Sequence, residues 1–197
     1  MKNIYKILIA TILIVSIGVI SLRCMGTDVS KDTLSNIARH NEDFSIYVEF
    51  GIDSAYPRFF VYDNRNDSIL SSSKCTHGCG GGSTTSKPVF SNKIGSNCSS
   101  LGEYKLTNNS QLNGIDMPCI RLNGLSKTNS NVAQRGVVIH EAQFFADDIS
   151  IGIPIPVTKY ISQGCFGIST KTFNLLQDLV KGNKSIYMYA VYKKGNN

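Results

Sequence analysis

From Phe44 onward the chain is cut into short β-type runs, and a single helix-period stretch stands near its C-terminus. Phe44 to Phe50 alternates apolar and polar residues, as do Phe59 to Tyr62 and the stretch around Ile69-Leu70. A period of two marks a strand with one buried face. Asp63-Asn64-Arg65-Asn66-Asp67 is dense in turn formers, so Arg58 to Lys74 is predicted as a hairpin. Further strands are predicted at Gly102 to Leu106, Met117 to Leu122, Gly136 to His140 and Ser185 to Tyr192. Thr170 to Lys181 is the clearest helix: Phe173, Leu175, Leu176, Leu179 and Val180 form one apolar side, Ser169 or Thr170 caps it, and Gly182 ends it. Gly80 to Ser86 reads as a flexible surface connection. The expected fold class is therefore mainly β, a sandwich or barrel with a C-terminal helix packed against it, in one domain without repeats.

The N-terminus bears on the compartment. Lys2 and Lys6 precede an almost purely apolar stretch, Ile7 to Ile20, which is the layout of a secretory signal. Residues 1–23 are expected to be a signal peptide or signal anchor, 24–43 a linker with a short helix, and 44–193 the folded domain. Cys24 suggests lipid attachment, but Arg23 sits where a lipoprotein signal wants a small residue. Export to the periplasm or cell envelope follows, with membrane contact only through the N-terminal segment. The net charge of +6 suits anionic envelope surfaces. Its basic residues are scattered and form no nucleic-acid motif, so no nucleic acid is expected as a partner.

The cysteines divide into two kinds. Cys75, Cys79, Cys98 and Cys119 are open to disulfide pairing in an exported protein, with connectivity undetermined. Cys75-Thr76-His77-Gly78-Cys79 offers only three metal ligands, so no metal is expected. Cys165 is different. It ends Ser162-Gln163-Gly164-Cys165, a turn ahead of the helix, where a helix N-terminus favours the thiolate. His140 ends the apolar run Gly136 to Ile139, which would hold an imidazole rigidly at a strand tip as a general base. The backbone carbonyl of Glu141 is placed to fix the tautomer of that imidazole. Ser162 can orient the turn or bond substrate. Arg121 and Arg135 can each hold a carboxylate through a bidentate contact, and His77 can line a cleft.

Several blocks recur in a telling order. Tyr56-Pro57-Arg58-Phe59-Phe60-Val61-Tyr62-Asp63 is followed by His77-Gly78, then Phe90-Ser91-Asn92 and the central run Gly95 to Tyr104. Arg121-Leu122-Asn123-Gly124-Leu125 leads through an Asn-bearing stretch to Arg135, and Val137-Val138-Ile139-His140 and Ser162-Gln163-Gly164-Cys165 close the series. Together they resemble the L,D-transpeptidase catalytic domain family of murein enzymes, in a variant common in Gram-negative envelopes, over Phe44 to Tyr192. The resemblance implies a β-sandwich-like fold with Cys165 as nucleophile and His140 as base, acting on peptidoglycan stem peptides without a cofactor. It also implies an oxyanion held by the N–H groups of Gly164 and Cys165. An amine acceptor makes the chain a transpeptidase, and water makes it a carboxypeptidase or endopeptidase. An inactive envelope-binding module that keeps the fold is the third reading. Two residues depart from the family pattern: many members have His at the place of Gln163 and Gly or Ser at that of Glu141.

Overall fold

In a computed structural model, residues 43–111, 117–142, 162–182 and 185–193 are described. The expected leader, and all of the 24–43 linker except Asp43, lie outside them. Eight strands form one sheet: β1 (Phe44–Glu49), β2 (Phe59–Asp63), β3 (Ser68–Ser73), β4 (Gly102–Gln111), β5 (Pro118–Gly124), β6 (Val138–Glu141), β7 (Phe166–Ile168) and β8 (Ile186–Val191). Helix α1 (Thr170–Gly182) separates β7 from β8. The sheet order is β3-β2-β1-β8-β4-β5-β6-β7. Every pairing is antiparallel except β1 with β8 and β6 with β7. Among the described residues, no helix is long and apolar enough to cross a membrane.

Of the two architectures left open by the sequence, the single continuous sheet is the barrel-like one. Its two edges nearly meet just past β3: the Thr76 N–H donates to the Gly167 carbonyl at 3.0 Å, and the Ser169 N–H to Ser73 Oγ at 2.9 Å. Period-two alternation sends Ile46, Val48, Phe59, Val61, Ile120, Leu122 and Ile139 inward to one core. Phe173 and Leu176 of α1 enter that same core, and Ser169 caps the helix by accepting the Thr172 N–H at 3.4 Å. Burying side chains of this size contributes roughly 1.5–3 kcal/mol each.

The hairpin lies where expected, with a register shift between Val61 and Tyr62. Two expectations are corrected. Phe166–Ile168, read as part of a turn before the helix, is a strand. Gly80 to Ser86 is pinned: Ser83 is fully buried, its Oγ donates to the Gly80 carbonyl at 2.7 Å, and it accepts the Val89 N–H at 2.9 Å.

Candidate active site

The register of β5, β6 and β7 fixes which side chains share a surface. Cys119 stands opposite His140, and His140 stands beside Gly167. Since Ile120, Ile139 and Phe166 face the core, alternation puts Cys119, Arg121, Val138 and His140 on the other face. Cys165 comes one residue before the Ile139–Phe166 pair and so stands level with Val138 on that face. Phe166 anchors this end of β7, its ring 5.9 Å from that of Phe50 and 5.5 Å from that of Tyr104, the latter edge-on.

His140 is half-buried at the tip of β6. Its Nδ1 lies 2.8 Å from the Glu141 carbonyl oxygen. A carbonyl can only accept, so Nδ1 carries the proton and Nε2 is left as the basic nitrogen. The Glu141 carboxylate reaches the start of α1 and accepts from Thr170 Oγ1 at 2.6 Å. Both ends of Glu141 thus hold the base in place.

The turn carrying Cys165 is closed by side chains. Ser162 Oγ accepts the Gly164 N–H at 3.1 Å and donates to the Cys165 carbonyl at 2.7 Å. Thr76 Oγ1 donates to the same carbonyl at 3.0 Å and accepts the Gly167 N–H at 2.7 Å. Gly164 has φ +116, and a Cβ there would come within 2.7 Å of the Cys98 carbonyl oxygen. Only glycine fits. The Gly164 N–H, expected to help hold an oxyanion, is the one that donates to Ser162 Oγ. The Cys165 N–H makes no hydrogen bond to a described group.

The sulfur of Cys165 is half-buried, 4.0 Å from the Gly136 carbonyl oxygen, and is not hydrogen-bonded to the imidazole of His140. Burial pushes its pKa up, and the nearby Cys119 thiol adds to this. The Val138 N–H and the Arg135 guanidinium pull the other way. The depressed pKa expected from the helix N-terminus is not found: β7 intervenes in the chain before Thr170, and burial pushes the thiol up.

The remaining candidates fall in other places. His77 is buried, and burial with the Arg58 charge brings its pKa down to about 4. Arg58 Nη2 donates to His77 Nδ1 at 2.7 Å, so His77 Nε2–H donates to the Thr84 carbonyl at 2.8 Å. Neither nitrogen is left to face a cleft. Arg121 donates to Ser110 Oγ and the Gln111 carbonyl, across on β4. Arg135 donates to the Ser91 carbonyl at 2.9 Å, to Ser100 Oγ at 2.6 Å and to the Cys98 carbonyl.

The sequence reading missed three contributors. Thr76 ties both edges of the sheet to the nucleophile turn, and Ser99 Oγ donates to the Gly164 carbonyl at 3.2 Å. Cys119 is the third, left open to disulfide pairing by the sequence and found opposite the base. Ser99 was within reach, since it sits in the central block Gly95 to Tyr104. All five described cysteines are unpaired, including Cys75, Cys79, Cys98 and Cys119, whose pairing the sequence left open. No group of three or more metal-ligating side chains occurs among the described residues.

The family described as L,D-transpeptidase catalytic domain matches residues 21–189. No curated protein sequence matches the chain at a significant level. Solved structures similar to it include an L,D-transpeptidase from Xylanimonas cellulosilytica, at 11% identity and a TM-score of 0.43, covering 78% of this chain and 62% of that one. The helical cell shape determining protein Pgp2 from Campylobacter jejuni is 16% identical with a TM-score of 0.44, covering 83% of this chain and 56% of that one. The chain thus spans less than two thirds of the length of either structure.

Proposed function

The chain belongs to the L,D-transpeptidase catalytic domain family, and on that premise we propose that it is a peptidoglycan-modifying enzyme with a cysteine nucleophile. Cys165 attacks the amide carbonyl between an L- and a D-residue of a stem peptide. His140 Nε2 takes the thiol proton and returns it to the departing D-amine. The thioester on Cys165 then passes its acyl group to an amine of a neighbouring stem, which closes a cross-link. The developing oxyanion is met by the Cys165 N–H. Ser162 shapes the turn and does not bind substrate. Lys2, Lys6 and the apolar stretch Ile7 to Ile20 support export to the periplasm or cell envelope, where this substrate lies.

One observation carries this reading. The Glu141 carbonyl holds His140 Nδ1–H, so the imidazole presents a basic Nε2 on the sheet face that Cys165 shares. The sulfur lies 4.0 Å from the Gly136 carbonyl oxygen, and the proposed proton transfer requires it to turn to the imidazole. Catalytic hydrogen bonds often tighten only when substrate is bound.

The test is incubation of the purified domain with tetrapeptide-bearing muropeptides, followed by mass spectrometry. Cross-linked dimers or exchange of the terminal D-amino acid are expected, and both should vanish with Cys165→Ala. Shortened stems alone would make water the acceptor and the chain a carboxypeptidase. No conversion by the wild-type protein would leave only the binding-module reading. His140→Ala should keep the fold and lose about 10²- to 10⁴-fold in turnover, the usual worth of a positioned base.

A further inference from the structure

We propose that Arg135 is a positioning residue for Cys165: its braced guanidinium lies beside the Gly164–Cys165 turn and places positive charge where the attacking thiolate forms. This rests on the reading of Cys165 as the nucleophile and assigns Arg135 a role other than clamping a substrate carboxylate.

The geometry has three parts. Nη1 of Arg135 donates to the Ser91 carbonyl at 2.9 Å and to Ser100 Oγ at 2.6 Å, while Nη2 donates to the Cys98 carbonyl. All three acceptors belong to the segment around the buried Ser99, so the planar fork is held in one orientation. None of them is a carboxylate, and among the described residues no carboxylate pairs with Arg135. Finally, Nη2 would lie 3.2 Å from a Cβ built on Gly164, the residue joined to Cys165.

A thiol in a half-buried turn resists ionisation. A nearby cation counters the cost more strongly there than in water, since the local dielectric is low. The Arg135 charge acts on Cys165 in that direction, together with the Val138 N–H. A substrate clamp would need the fork open to solvent, whereas three protein acceptors already engage it.

The pH dependence of Cys165 alkylation by iodoacetamide, read on the Cys165 peptide by mass spectrometry, tests this without any murein substrate. Thiolate is the reacting form. Arg135→Gln should move the alkylation midpoint upward and slow the reaction at pH 7 by about tenfold, the equivalent of one pKa unit. Arg135→Lys keeps the charge and should stay within about threefold of wild type. A glutamine profile superimposed on that of wild type would overturn the proposal and return Arg135 to the substrate. Should Arg135→Gln not fold, the lysine variant decides: a tenfold slowing there would show that charge is not what Arg135 supplies. Alkylation is independent of turnover, so an inactive protein with the expected shifts would sink the proposed reaction and not this role.

Discussion

Arg58 and His77 show at the scale of single residues why one histidine is available and another is not. Arg58 is fully buried, donates to the Cys75 and Ile52 carbonyls, and lies 5.1 Å from the centre of the Phe50 ring. It needs an acceptor at His77 Nδ1, which keeps that imidazole neutral. The folded pKa of about 4 lies below the ordinary 6.5, so folding disfavours the protonated form. The sign follows from linkage. The stabilisation is complete above pH 6.5, falls as the pH drops towards 4, and amounts to roughly 3 kcal/mol. Urea denaturation at pH 7 and pH 4.5 should show this loss, and His77→Gln should flatten it. An equal slope in the variant would assign the acid sensitivity elsewhere. Gly164 makes a second case at this scale. Gly164→Ala should cost about 1–3 kcal/mol in stability through its positive φ. It should also abolish turnover, because the new methyl meets the Cys98 carbonyl and pushes the turn open; full activity in that variant would mean the turn tolerates movement. The contact of His140 Nδ1 with the carbonyl of Glu141 was legible because the two residues are neighbours in the chain. The partners of His77 and the desolvation of Cys165 were not, since both depend on segments far away in sequence.

Strands and helix show the same division between local and distant information. The helix was readable from its own periodicity and cap, as were the hairpin β2–β3 and strands β1, β5 and β8. Strand β7 escaped because three residues carry no period, and what makes them a strand is the pairing with β6 on one side and Thr76 on the other. Strand β4 runs on to Gln111, beyond the expected Leu106, through a register shift that apolar alternation does not reveal. Closure of the sheet therefore depends on a residue that sequence reading passed over. Thr76 Oγ1 serves the Cys165 carbonyl and the Gly167 N–H at once. Thr76→Val keeps the shape but leaves the Gly167 N–H without its partner and the Cys165 carbonyl with Ser162 Oγ alone, a loss of about 1–3 kcal/mol in stability. Turnover should suffer more than stability, because both groups flank the nucleophile. A variant as destabilised as this but with wild-type kcat would show that β7 positions nothing.

For the whole molecule, the question is whether the core suffices without covalent staples. The core draws from every strand except β3 and from α1, so the β7 edge of the sheet and the helix share one buried cluster with the central strands. The cysteines contribute to it as small apolar groups. Cys75 belongs to the cluster, and the Cys98 sulfur lies under Gly80 and Gly81, 2.9 Å from a Cβ built on the former. Cys119 is also buried, on the opposite face of the sheet. Cβ atoms built on Gly78 and Gly80 would both meet the segment Ser96 to Ser99. A native disulfide typically contributes 2–4 kcal/mol, about 5 °C or more in thermal midpoint for a domain of this size. Thermal unfolding with and without reductant should therefore coincide, and every described cysteine should take an alkylating label once the protein is denatured without reduction. A midpoint that falls by more than about 5 °C in reductant would show that a cross-link carries part of the stability. Coincident curves would allow every measurement on Cys165 to be made in reductant, with the nucleophile protected from oxidation and the fold unchanged.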